Sequence, residues 1–271
     1  ETDNVVSAIT KFNQDIMKSN KRLFSSISND EMSIDYMIKM PKNVEVDLNN
    51  KYGDIFINEL TGKVLVNLKY GNIRVNKFER GDAKDINTLV VGYGSATLGD
   101  VNWLKVEIKY GNLKVDKARA IVILSKYSKV NIDKVNSLVV DSKYDDYTLG
   151  SLANIVGESG YTNISINDLS KKLNLTTKYG DVKISNVADN FESIVFNGAY
   201  TGLKAGINSN VSYKIDAVVS YGNIKFDAPT AKINRIEQNT STELNGVIGA
   251  SEATNSKVYV RAKYGSVTLS K

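Results

Sequence analysis

The chain has 271 residues, 42% hydrophobic and 24% charged, with 35 basic against 30 acidic side chains and a net charge of +5. That length and composition supply a core of ordinary size in one or two domains and exclude a disordered chain. It has no cysteine and no histidine, which removes disulfides, thiolate nucleophiles, imidazole bases and the usual zinc ligands, and no apolar run reaches the length of a transmembrane helix.

Residues 1–40 stand apart from the rest of the chain. The opening residues are polar, so no signal or transit peptide is read there. Val5, Ile9, Phe12 and Ile16 fit one stripe of a helix, although a short strand through Val5 to Thr10 fits as well. Met32, Ile34, Tyr36, Ile38 and Met40 then alternate up to Pro41, and residues 1–40 are expected to form an N-terminal capping segment.

Residues 41–271 carry a repeat. Tyr52, Tyr70, Tyr93, Tyr110, Tyr127, Tyr144, Tyr161, Tyr179, Tyr200, Tyr221 and Tyr264 are spaced by 18, 23, 17, 17, 17, 17, 18, 21, 21 and 43 residues. Positions six, four and two before each tyrosine share its parity and give strand periodicity, as in Val64, Val66 and Leu68, or Leu104, Val106 and Ile108, or Leu173, Leu175 and Thr177. Positions three and five after it are apolar in every unit and define a second strand. Position eight after it is a further inward point, at Leu60, Phe78, Val101, Ala118, Val135, Leu152, Leu169 and Val187. The residue after the tyrosine is Gly in seven units, which is turn chemistry.

One such unit cannot bury its own apolar residues, whereas stacked units share a continuous core and pair each strand with its equivalents above and below. The prediction is an all-β parallel β-helix of about eleven rungs, roughly 50 Å long at strand spacing. The handedness of parallel crossovers makes it right-handed. An antiparallel sandwich gives no reason for a 17-residue recurrence. Spacing departures place insertions near 79–85, at Asp189, at Asn208 to Asn210, and at 228–254.

In a solenoid each repeat position becomes a column. The tyrosines share the inward parity of the residues two before them, so their rings are expected to stack inside the rod with the hydroxyls at its edge. Lys51, Lys69, Lys109, Lys126, Lys143, Lys178 and Lys263 form a basic column next to them, and Arg74, Lys114, Lys183, Lys204 and Lys225 form a second. Such columns can hold an acidic glycan by repeated charge pairing, with Lys109, Lys126 and Lys143 as the central candidates. Interspersed carboxylates give the plainer alternative of a mixed-charge, soluble face. Val122, Leu124, Val139, Val156 and Val195 take outward positions, and this apolar stripe is expected to be covered by residues 1–40, by 228–254 or by another chain.

The segments "IDYMIKMPKNVEVDLNNKYGDIFINELTGKVLVNLKYGN", "LSKYSKVNIDKVNSLVVDSKYDDYTLG" and "KYGSVTLSK" resemble the adhesin β-helix family of Gram-negative gut bacteria, a domain family of unknown function. The resemblance spans roughly residues 32–271. It implies an exported β-helix of the cell envelope or cell surface, and it carries over no ligand and no catalytic residue.

Catalysis without His or Cys would rest on carboxylates, Lys, Arg, Tyr or Ser; β-helix polysaccharide lyases and hydrolases use acidic clusters with a basic residue or calcium, and the nearest such group is Asp141, Asp145 and Asp146 beside Lys143. Acidic residues at a turn ordinarily serve the turn. No catalytic residue, metal or cofactor is therefore assigned. No phosphate-binding glycine loop or nucleic-acid motif is present. The expected function is a non-enzymatic surface adhesin or scaffold that contacts a glycan or another cell-surface component. The alternative is a polysaccharide lyase or hydrolase built on a β-helix.

Overall fold

The computed structural model describes residues 7–10, 34–81 and 85–271. It has two compact units, Glu1–Met40 and Pro41–Lys271. In the first, the described residues form neither helix nor strand, and the hydroxyls of Thr10 and Tyr36 hydrogen-bond. Val5, Phe12, Ile16 and Met32, which carry the predicted helical and alternating patterns, lie outside the described residues, as do residues 82–84 of the first insertion.

The second unit is all strand. In chain order these are β1 (Val46–Lys51), β2 (Ile55–Leu60), β3 (Val64–Lys69), β4 (Ile73–Phe78), β5 (Asn87–Gly92), β6 (Ser95–Lys109), β7 (Asn112–Lys126), β8 (Lys129–Lys143), β9 (Asp146–Gly160), β10 (Asn163–Lys178), β11 (Val182–Val187), β12 (Ser193–Ala199), β13 (Leu203–Ala205), β14 (Tyr213–Ser220), β15 (Ile224–Phe226), β16 (Ala231–Gln238), β17 (Ser241–Ile248), β18 (Lys257–Lys263) and β19 (Val267–Leu269). Among the described residues there is no helix, so none is long and apolar enough to cross a membrane.

Parallel pairing of equivalent positions makes a β-solenoid. In β6 to β10 one strand runs through a whole coil: Leu113 lies over Ala96 and under Val130, and Ile121 lies over Leu104 and under Leu138. The inward columns named from the sequence form the core, with Leu48, Ile55 and Phe226 half-buried, and the corner residues Leu60, Phe78, Val101, Ala118, Val135, Leu152, Leu169 and Val187 are all buried. On either side of these corner residues the inward step is three residues rather than two, as from Ile132 to Val135 to Leu138, and this turns the strand through the corner.

The tyrosine corner corrects the sequence reading. All eleven tyrosines have positive φ, from 52° to 63°, and their rings are 40–68% exposed. Inward residues sit two before and three after each tyrosine, an odd separation, so the alternation must slip once between them. The slip falls at the tyrosine: Lys126 and Tyr127 both face outward, and Ser128 faces inward. A left-handed backbone costs a side-chain-bearing residue about 1 kcal/mol or more. The backbone ladder is nevertheless kept, since Tyr110 N–H donates to Lys126 O at 3.1 Å and Tyr127 N–H to Lys143 O at 3.1 Å. The next residue packs tightly on the neighbouring rung. A Cβ on Gly94 would lie 1.8 Å from the Gly71 carbonyl oxygen.

The expectation of eleven rungs in sequence order is also corrected. About nine turns wind in order, through Tyr200. β18 then inserts between β12 and β14, and β19 inserts between β13 and β15. Residues 228–254, expected as an insertion outside the rungs, are not a plain loop. They hold β16 and β17, which extend the sheet antiparallel from β14.

Candidate functional site: a tyrosine and lysine face

The outward tyrosines stack into one ladder. Successive rings from Tyr52 to Tyr200, then Tyr264 and Tyr221, lie 4.6–5.1 Å apart and within 18° of parallel. Rung spacing imposes this distance, and offset stacking at it is favourable. Both faces of each internal ring are occupied by neighbours, so the ladder offers ring edges and hydroxyls. Among the described residues these hydroxyls have no hydrogen-bond partner.

Along one flank run the lysines. Lys109, Lys126 and Lys143 are direct register partners on β6, β7 and β8 and are exposed. The ammonium groups of Lys126 and Lys143 lie 5.4 and 5.7 Å from the centroids of their own tyrosine rings, as those of Lys51 and Lys263 do at 4.8 and 5.2 Å. The ammonium groups are thus held against the aromatic row. Asn72, Asn112, Asp146, Asn163 and Asp181 occupy the other flank. Asn72 N–H donates to Asp54 Oδ1 at 2.7 Å, and Asn163 Nδ2 to Asp146 Oδ1 at 3.2 Å.

The apolar stripe lies on the same sheet face as the lysines. Val122, Val139 and Val156 are in register on β7, β8 and β9, and Leu124 lies between Val122 and Lys126 on one strand. Val122 and Leu124 are half-buried, while Val139 and Val156 are 41% and 44% exposed. Val195 is half-buried farther along. Residues 228–254 do not cover this stripe, because the hairpin they form is paired to β14 at the end of the stack. Carboxylates frame the patch: Glu107 bonds Lys105 at 2.6 Å, and Asp141 and Glu158 continue its row.

Asp141, Asp145, Asp146 and Lys143 are not brought together. Asp141, Lys143 and Asp146 face solvent, whereas Asp145 is buried in the core. Its carboxylate accepts from Ser125 Oγ and Ser142 Oγ at 2.7 Å each, from Ser128 N–H at 2.6 Å and from Lys143 N–H at 3.0 Å. Tyr147 fills the space left by small residues, with its hydroxyl 2.6 Å from Ser125 Oγ. Burial pushes this phenol well above its ordinary pKa, against the opposing hydrogen bond from Ser125. The network satisfies a turn residue that replaces glycine and has no opening to solvent at the carboxylate.

One feature had no direct sequence signal. At the corner opposite the tyrosines the bend leaves a shallow groove of about 660 Å³, lined by Asp100, Lys117, Arg119, Lys134, Ser151 and Asp168 among others. Lys117 pairs with Asp100 at 3.3 Å, and Asp168 accepts from Asn167 at 2.7 Å and Asn186 at 3.1 Å. Among the described residues no cluster of three acidic side chains is placed to hold a metal ion. In comparisons with known proteins, no family model, curated protein or solved structure matches the chain.

Proposed function

We propose that the protein is a non-enzymatic β-solenoid protein of the bacterial cell envelope or surface, an adhesin or scaffold whose contact surface is the face carrying Lys109, Lys126, Lys143, Val122, Leu124, Val139 and Val156. One observation carries this reading: lysine column, apolar column and tyrosine ladder run side by side, in register, at one rung per step. A single exposed lysine contributes little. A polymer with anionic groups along its length engages several at once, and its pyranose or alkyl faces find apolar ground beside the charges. An acidic glycan has this chemistry. Export to the envelope rests on the resemblance described above.

The test is binding of purified rod to an array of acidic and neutral glycans. Affinity for the acidic ones should fall at least tenfold as salt rises from 50 to 500 mM, since these charges are screened over about 8 Å at physiological ionic strength. Changing Lys109, Lys126 and Lys143 together to Glu should abolish binding with the melting temperature unchanged. Binding that ignores both salt and the triple change would move the site elsewhere. The polysaccharide-cleaving alternative gains no carboxylate pair from the corner groove, because Asp100 and Asp168 stand four rungs apart, about 19 Å at strand spacing. Polysaccharide turnover by the purified protein would overturn the non-enzymatic reading.

A further inference from the structure

The out-of-order levels at the end of the stack create a slot the size of one strand per face. After β13 the chain skips a level. Residues 206–212 carry it two rungs along, where β14 and β15 form, and β18 and β19 later fill the gap. β18 pairs with β12 through Val258–Ile194 and with β14 through Val258–Ile215. The ring of Tyr264 is therefore 4.7 Å from both Tyr200 and Tyr221.

Groups other than the inserted segment span the gap. Phe191, just before β12, packs against Tyr213, at the start of β14, with ring centroids 6.2 Å apart and both side chains buried. Ile207 and Val211 bury the connecting loop. On its far side β14 is backed along its whole length by β17. The level of β14 and β15 thus has packing and hydrogen bonds of its own on the side away from the slot.

The slot recognises its occupant by backbone and shape. Lys257 N–H donates to Glu192 O at 3.1 Å, Lys214 N–H to Ser256 O at 2.9 Å, Tyr264 N–H to Ser220 O at 2.9 Å and Leu203 N–H to Ser266 O at 3.0 Å. Val258, Val260, Ala262, Val267 and Leu269 are buried. All of these features belong to the segment from Ser256 to Leu269, which residues 249–256 join to β17. That connection has to pass around the start of β14, because Ile248 and Lys257 flank Tyr213 and Lys214 from opposite sides.

We propose that the slot is a strand-acceptor site that takes the Ser256–Leu269 segment from a second copy of the chain as well as from its own, coupling two rods by reciprocal exchange. This does not depend on the glycan reading. The contacts are the same in either case, so the choice is set by effective concentration. A short connection holds its own segment at about millimolar effective concentration, so the internal arrangement wins roughly a hundredfold at 10 µM chain, and exchange appears as rods are concentrated.

The absence of cysteine gives a clean test. Ser193 and Lys257 are register partners across the β12–β18 edge, at a strand spacing of about 4.8 Å that a disulfide can bridge. Full-length copies carrying Ser193→Cys and Lys257→Cys singly are refolded together at 10 µM and at 1 mM, oxidised and resolved by mass. A crosslinked heterodimer should rise at least tenfold between the two concentrations. Deleting residues 250–255 in both copies, which closes the internal route, should make it the main product at 10 µM. The double variant in one chain reports that the slot itself is folded. Suppose instead that the double variant crosslinks internally while the mixed copies never exceed a control pair of Lys172→Cys with Lys257→Cys, one rung out of register. The proposal is then wrong.

Discussion

Replacing Tyr127 in the middle of the ladder by glycine and by alanine separates the two forces acting on that column. The ring stacks on Tyr110 at 5.0 Å and on Tyr144 at 4.9 Å, and two aromatic contacts contribute about 1–3 kcal/mol beyond area. It is 43% exposed, so burial of the rest adds about 1 kcal/mol rather than the full value of a core aromatic. Tyr127→Ala loses both and keeps the left-handed backbone at φ 52°, for a total cost of about 2–4 kcal/mol. Tyr127→Gly loses the same contacts but is relieved of about 1 kcal/mol of backbone strain. The glycine variant should therefore be the more stable of the two by about 1 kcal/mol, the reverse of the order within a regular strand. Urea unfolding followed by circular dichroism measures both. If alanine proves better than glycine, the left-handed corner, and with it the outward ladder, is refuted.

At the end of the ladder Tyr52→Ala should cost about half as much, because Tyr52 has one neighbour and is 68% exposed; equal losses at Tyr52 and Tyr127 would show that stacking is not the main contribution. Tyr213→Phe should raise stability by about 1 kcal/mol in thermal unfolding, since the Tyr213 hydroxyl is buried without a partner among the described residues, and a loss would reveal a partner for it. Burial raises the phenol pKa of Tyr213, so the folded state keeps a proton that the unfolded chain releases above about pH 10. Stability linked to this group is present below that pH and lost as pH rises above it, and Tyr213→Phe should flatten the alkaline limb. Asp145→Ala should cost about 3 kcal/mol or more, because it strands the Ser128 and Lys143 amides and two hydroxyls in the core; an unchanged urea midpoint would place the carboxylate in solvent.

The repeat, the parallel stacking and the inward columns were legible in the amino-acid order alone, because burial in a solenoid is dictated at each position by local alternation and then repeated down the rod. The lysine and valine columns that the register sets beside each other were legible for the same reason. Where alternation is silent, the sequence was silent too. Between Ser125 and Val130 the parity must slip once. Either Tyr127 or a neighbour could take the slip, and it is the folded corner, with its left-handed tyrosine and tightly packed glycine column, that turns the rings outward. Asp145 is similar: a carboxylate at a turn looks exposed until Ser142 on its own turn, and Ser125 and the Ser128 amide from the neighbouring rung, are seen to satisfy it inside. The order of the last levels was out of reach for a different reason. Tyr221 and Tyr264 carry the same local pattern, so either could follow Tyr200. The choice rests on the contact of Phe191 with Tyr213 and the backing of β14 by β17, long-range packing that no single repeat contains.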